Sequence, residues 1–162
     1  MKQTLSRILV PTDFSSSSDA ALEYATMLAD RLSASMHVLH VIEEPDVAGW
    51  GSEIYISELP RMREAAQQEA ERRLNGIVTA RELVRLKVST EIADGRAARA
   101  IVDVARQQQI DLIVMGTHGR SGVARLLLGS VTEKVLRTAP CPVLAVRTTE
   151  HAEDATVERV AS

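Results

Sequence analysis

The chain has 162 residues, 45% of them hydrophobic and 25% charged, the make-up of a single globular domain rather than of a disordered or collagen-like chain. Its net charge of −3 arises from 19 basic and 22 acidic residues with no block of like charge, and aromatic residues make up only 2%. Neither an anionic membrane nor a nucleic acid that stacks on protein rings is therefore indicated as a partner.

Short apolar, β-branched runs alternate with longer segments of helical period, the pattern of a parallel sheet covered by helices on both faces. The first strand is expected over residues 6–11, where Ile8-Leu9-Val10 is too short for a signal-peptide core. No later run approaches the roughly 18 apolar residues of a membrane span, so a cytoplasmic protein is expected. Ser15 to Ser18 then offers a cap for a helix that places Ala21, Leu22, Ala25, Leu28, Ala29 and Leu32 on one face. The second strand, 36–42, contains His37 and His40, which read as packing or surface residues because no Cys, Asp or Glu stands beside them at ligand spacing.

Residues 43–58, with Pro45, Gly49, Trp50 and Gly51, read as a long loop of the kind that often carries function. A helix is expected over 59–84, supported by Glu69 four residues before Arg73, although Asn75-Gly76 also suits a turn. A third strand over 86–93 precedes a helix over 97–108 with Ala97, Ala100, Ile101, Val104 and Ala105 at helical spacing. The fourth strand, 111–116, leads into a second irregular segment, 117–128. Ser130-Val131-Thr132-Glu133 then matches a capping box at the start of the last helix. Cys141, the one cysteine, cannot form an internal disulfide and reads as a small buried residue at the start of the fifth strand, 142–147. Residues 1–147 thus form one domain, and the polar tail 148–162 is expected to be mobile. The expected fold is α/β, an open five-stranded parallel sheet in the order 3-2-1-4-5 with right-handed crossovers and a core including Leu9, Val38, Leu39, Ile113 and Val114.

Chemistry concentrates after the fourth strand, in Met115-Gly116-Thr117-His118-Gly119-Arg120 and, nine residues past Gly119, Gly129-Ser130-Val131. Glycine lets backbone approach a ligand, and a helix N-terminus attracts phosphate. In an open parallel sheet the ligand crevice lies beyond the carboxyl ends of the strands where strand order reverses, here between the first and fourth. Asp13, at the end of Val10-Pro11-Thr12-Asp13, suits an amino or hydroxyl donor and repels phosphate, so it and Gly129-Ser130 are expected to serve opposite ends of a nucleotide. His118 can reach phosphate through a ring N–H, or is structural to the loop; Arg120 is either a phosphate contact or a solvated charge.

Gly116-x2-Gly119-x9-Gly129-Ser130, with Pro11-Thr12-Asp13 and His40-Val41, resembles the universal stress protein family, and in particular its ATP-binding branch. The resemblance runs from residue 6 to 147. It implies that Pro11, Thr12 and Asp13 contact the adenosine part and that Val41 supplies backbone to the base. It also implies that Met115, Gly116, Gly119, Gly129, Ser130 and Val131 line the ribose and phosphates of ATP, held with Mg or Mn. Family members often pair through the last strand, so Val143, Leu144, Ala145 and Val146, an apolar run expected at a sheet edge, imply a homodimer. The alternative is a slow ATPase or another adenine-nucleotide enzyme on the same fold. Against it, the chain has no P-loop and lacks the phosphate loop of ATP pyrophosphatases after the first strand. A phospho-acceptor domain would want further acidic groups around Asp13 and a lysine where Arg147 stands.

Overall fold

A computed structural model describes residues 5–43, 53–80, 87–117 and 128–148 of the chain. In chain order the elements are β1 (Arg7–Thr12), α1 (Ser16–Leu32), β2 (Ser35–Ile42), α2 (Glu53–Ala80), β3 (Val88–Asp94), α3 (Ala97–Gln107), β4 (Leu112–Gly116), α4 (Ser130–Thr138) and β5 (Val143–Val146). All strand pairs are parallel, and the sheet order is β3-β2-β1-β4-β5, as the alternating pattern predicts.

Side-chain alternation divides the core into two layers. Ile8, Val10, Met36, Val38, Leu112 and Val114 face α1 and α2, meeting Ala21, Leu22, Ala25 and Ala29 of the first and Leu74 of the second. Leu9, Leu39, Ile113 and Met115 point the other way, onto Ile101, Val104 and Ala105 of α3 and Val135 of α4. The five expected core residues, Leu9, Val38, Leu39, Ile113 and Val114, are all 0% exposed. On the edge of the sheet, His37 bridges β2 to β3 through Ser89 Oγ at 2.6 Å and Glu91 Oε2 at 2.8 Å.

Cys141, expected to be buried, is only half-buried, and local expectations fail in two further places. The long loop read over 43–58 is helical from Glu53 onward, and α2 continues through Pro60 and Asn75-Gly76 to Ala80 rather than starting at residue 59. Proline forfeits one helical bond and favours a first-turn position, which is why the sequence suggests a start there. The capping box at Ser130 does not form: Ser130 is already helical, Gly129 is the N-cap, and no side chain among the described residues caps it. Glu133 instead binds Arg137 Nη2 at 2.7 Å, one turn on. Residues 44–52, 118–127 and 149–162 lie outside the described residues, and with them Trp50, His118, Gly119, Arg120 and the tail.

The strands are clasped at their starts and part at their ends. Only Ile8↔Leu112 and Leu9↔Ile113 join β1 to β4. Beyond them β1 pairs with β2 as far as Thr12, and β4 pairs with β5 as far as Gly116. Pro11, which has no N–H to give a ladder, falls within the parted length. At the opposite end Asp111 Oδ2 accepts from Ser6 N, Ser6 Oγ and Arg7 N, each at 2.9 Å. The Ser6 amide first, then the Ser6 hydroxyl and the Arg7 amide, hold the Asp111 carboxyl below its usual pKa against the opposing effect of partial burial.

Replacing Asp111 by Ala should lower the unfolding free energy at pH 7 by about 1–2 kcal/mol, the scale of hydrogen bonds to a charged group. Since the folded pKa lies below the unfolded value of about 4, this stabilisation is complete above that value and lost as pH falls through the folded pKa. Urea denaturation of wild type and Asp111→Ala should therefore differ at pH 7 and converge in the acid range below 4; a gap independent of pH would show that the carboxylate is not its source.

Candidate functional site

The parting of β1 from β4 opens a cavity of about 550 Å3 at the carboxyl end of the sheet. Pro11, Thr12 and Asp13 line it from β1, Val41 from β2, Met115 and Gly116 from β4, and Gly129, Ser130 and Val131 from the start of α4. Every site residue expected from the sequence and described in the structure is thus brought to one crevice. His118, Gly119 and Arg120 are the three that fall outside the described residues.

The β1 rim is held by short-range polar bonds. Thr12 is buried, its Oγ1 3.1 Å from Ser18 Oγ and accepting from Phe14 N at 3.0 Å. Asp13 Oδ1 accepts from Ser15 N at 3.1 Å and Ser15 Oγ at 2.6 Å, while Ser15 caps α1 by accepting from Ser18 N. These bonds turn the chain through Phe14, which has φ +62°, a conformation a bulky residue rarely adopts. His40 reinforces the turn from β2. Its Nδ1 lies 2.8 Å from the Thr12 carbonyl, which can only accept, so Nδ1 carries the hydrogen. The His40 ring lies 4.4 Å from that of Phe14, and the Arg73 guanidinium of α2 sits over the Phe14 ring, 5.3 Å from its centroid.

The β4 rim depends on glycine for a different reason from the one its position suggests. A Cβ on Gly116 would meet Ser17 of α1 at its Oγ, at its carbonyl oxygen (2.7 Å) and at its carbonyl carbon (2.8 Å). The space is therefore taken by the protein, not kept for a ligand. Thr132 Oγ1 binds the Gly116 carbonyl at 2.9 Å, and Gly129 N binds the Thr117 carbonyl at 2.7 Å, which seats the start of α4 over the end of β4.

Three helix N-termini reach the cavity, and they are satisfied differently. Ser15 caps α1, and the Glu43 carboxylate takes the Ala97 amide of α3 at 3.0 Å. Among the described residues, the first turn of α4, Gly129-Ser130-Val131, receives no side-chain cap. First-turn amides and the positive end of a helix dipole attract anions.

Sequence reasoning missed several lining residues: Ser18, Leu39, His40, Ile42, Glu43, Ala66, Ala97, Ile101 and Thr132. His40 shares strand parity with buried Met36 and Val38, a signal that would have turned it inward near the strand end. Glu43, Ala66 and Ala97 carry no such local signal, because they meet the cavity from three different elements. Among the described residues no group of three or more His, Cys, Asp or Glu is arranged to hold a metal, and no helix is long and apolar enough to cross a membrane.

Comparison with known proteins agrees with this architecture. A model of the Universal stress protein family matches residues 4–147. Universal stress protein MJ0531 of Methanocaldococcus jannaschii is 36% identical over 144 residues, covering 87% of this chain and 81% of that protein. Among solved structures, hypothetical protein MJ0577 of the same archaeon aligns with a TM-score of 0.77 at 31% identity, over 89% of this chain and 96% of the other. A universal stress protein crystallised in complex with cAMP aligns with a TM-score of 0.58 at 25% identity, over 90% and 99% of the two chains.

Because the Ser17 backbone occupies the space of a Gly116 Cβ, Gly116→Ala should push the start of α1 away from β4. The expected cost is about 1–3 kcal/mol of stability, the scale of overpacking a well-filled interior. Thermal unfolding measures it, and a variant that melts with the wild type would show that the contact relaxes freely.

Proposed function

The chain belongs to the universal stress protein family, and we propose that it holds ATP in the crevice between β1 and β4 as a nucleotide-dependent regulatory module, with slow or no hydrolysis. One observation carries the reading: of the three helix starts at the cavity, that of α4 lacks, among the described residues, the side-chain cap the others have. The phosphates belong at Gly129, Ser130 and Val131, where amides and dipole favour negative charge. Met115 and Gly116 lie beside the ribose, and Pro11, Thr12, Asp13 and the Val41 backbone hold the adenosine part. Asp13 supports this polarity, since its carboxylate welcomes hydroxyl and amino donors and repels phosphate. The cAMP complex of a family member supports an adenine nucleotide as the ligand class.

The phosphates would carry Mg or Mn, with His118, Gly119 and Arg120 as further phosphate contacts. Phosphoryl transfer demands a positioned nucleophile besides a metal and cationic stabilisation. Asp13 Oδ1 is committed to Ser15 through two hydrogen bonds, which argues against that oxygen as a general base. Binding without rapid turnover is the reading this supports.

Self-association through β5 belongs to the same proposal. Val143, Leu144, Ala145 and Val146 are apolar at every position yet only half-buried, and β5 stands at the end of the sheet order, beyond β4. A second copy pairing there about a two-fold axis would cover that edge.

Calorimetry with ATP and magnesium tests the central claim, and no measurable heat of binding at any ATP concentration up to millimolar would end it. Gly129 has φ −55° and ψ 145°, a backbone open to any residue, so Gly129→Val should still fold, at the cost of a poorer N-cap for α4, while its side chain blocks the phosphate end. Its ATP affinity is expected to drop at least about tenfold, roughly 1.4 kcal/mol. Steady-state turnover of ATP should stay far below about 1 per second, the low end of ordinary enzymes; a rate at that level would make the protein an ATPase. Sedimentation at tens of micromolar should give a dimer, and a monomer there would remove the β5 pairing.

A further inference from the structure

Val41, Ile42, Ala66, Ala97 and Ile101 are apolar residues of the cavity lining, which carries two acidic side chains, Asp13 and Glu43. We propose that Glu43 determines specificity at position 6 of the purine, its carboxylate accepting from the 6-amino group of adenine and disfavouring a 6-oxo group. The proposal rests on the nucleotide reading above and deepens it.

Three features of Glu43 support this role. It follows Val41 by two residues, which sets it beside the backbone assigned to the base. Its Oε1 is anchored on the Ala97 amide at 3.0 Å, so the headgroup is held at the start of α3. Its Oε2 is bonded to no group among the described residues, which leaves one fixed oxygen able only to accept. Asp13, the other carboxylate on the cavity, is spent differently, because its Oδ1 belongs to the Ser15 turn at the β1 rim. Apolar lining residues with an anchored acceptor fit a planar base that presents a donor, and adenine presents one at position 6. Guanine and hypoxanthine would bring a carbonyl oxygen against the carboxylate. Glu43 stays exposed before a ligand arrives, so the expected discrimination is about tenfold rather than the ten-thousandfold or more of a sealed polar pocket.

The informative variant is Glu43→Gln. Its amide oxygen can keep the bond to Ala97 N, and its NH2 group then replaces Oε2, turning an acceptor into a donor without removing the cap on α3. Calorimetry should compare ATP with inosine triphosphate, which carries a 6-oxo group and an N1–H where ATP has a 6-amino group and a bare N1. Wild type should bind ATP about tenfold more tightly than inosine triphosphate, and in Glu43→Gln the ratio should fall to near one or reverse. A merely structural role for Glu43 would weaken both nucleotides together and leave the ratio where it was, and that result would overturn the proposal. Wild type binding both nucleotides equally would overturn it too while leaving the ATP reading intact. Wild type binding neither would overturn the ATP reading, and this inference with it. Glu43→Ala, which removes acceptor and cap together, should also bring the ratio toward one, with its melting temperature recording the separate cost of uncapping α3.

Discussion

The short ladder between β1 and β4, which ends at Leu9 and Ile113, is the constraint on which the site depends. Both strands run on past that point, each held by its other neighbour, and so they separate without losing order. The gap is then furnished from both faces. The start of α1 seats against Gly116 on one side, and the starts of α3 and α4 approach from the other. A residue with a Cβ at position 116 would hold α1 off β4, so one missing side chain lets the crevice close at its base.

Rigidity at the rim comes from a compact polar network rather than from apolar packing. Thr12, Asp13, Ser15 and Ser18 bond to one another and to the amides of Phe14, Ser15 and Ser18 within a single turn of chain. The left-handed backbone at Phe14 is costly for an aromatic residue, of the order of 1–3 kcal/mol. The bond from its amide to Thr12, its ring contact with His40 and the overlying Arg73 offset that strain. His40 has a double part, since it also ties the end of β2 to the carbonyl of Thr12. The residues that line the β1 side of the crevice are thus anchored from β2 and α2 as well as from β1.

Electrostatically the crevice is polarised by which helix ends the protein itself satisfies. Glu43 and Ser15 supply acceptors to α3 and α1, and the carboxylates of Glu43 and Asp13 line the cavity. Among the described residues, no side chain answers the start of α4. A ligand with hydrogen-bond donors at one end and anionic oxygens at the other would complement that division.

Much of this was legible in the linear pattern. Continuous apolar runs such as Ile8-Leu9-Val10 and Leu112 to Met115 declare strands buried on both faces, and the helical spacing of Ala97, Ile101 and Val104 declares a covering helix; together they dictate a doubly covered parallel sheet. Gly116, Gly129-Ser130 and Asp13, at the ends of those elements, then mark the crevice, because the ends of parallel strands meet at one edge. Contacts among distant segments were not legible. Ser130 and Glu133 spell a capping box, yet the seat of α4 on Thr117 and Gly116 makes Gly129 the cap and turns Glu133 to Arg137. The proline of α2 suggests a helix start that the structure passes through. Most of all, Glu43 and Ala97 are 54 residues apart, and the bond between them exists only because β2 and β3 lie side by side in register. Sequence periodicity determines which residues turn inward and where each element ends; which side chain answers which helix terminus was decided by tertiary structure, because a hydrogen bond depends on ångström-scale placement that no local pattern encodes.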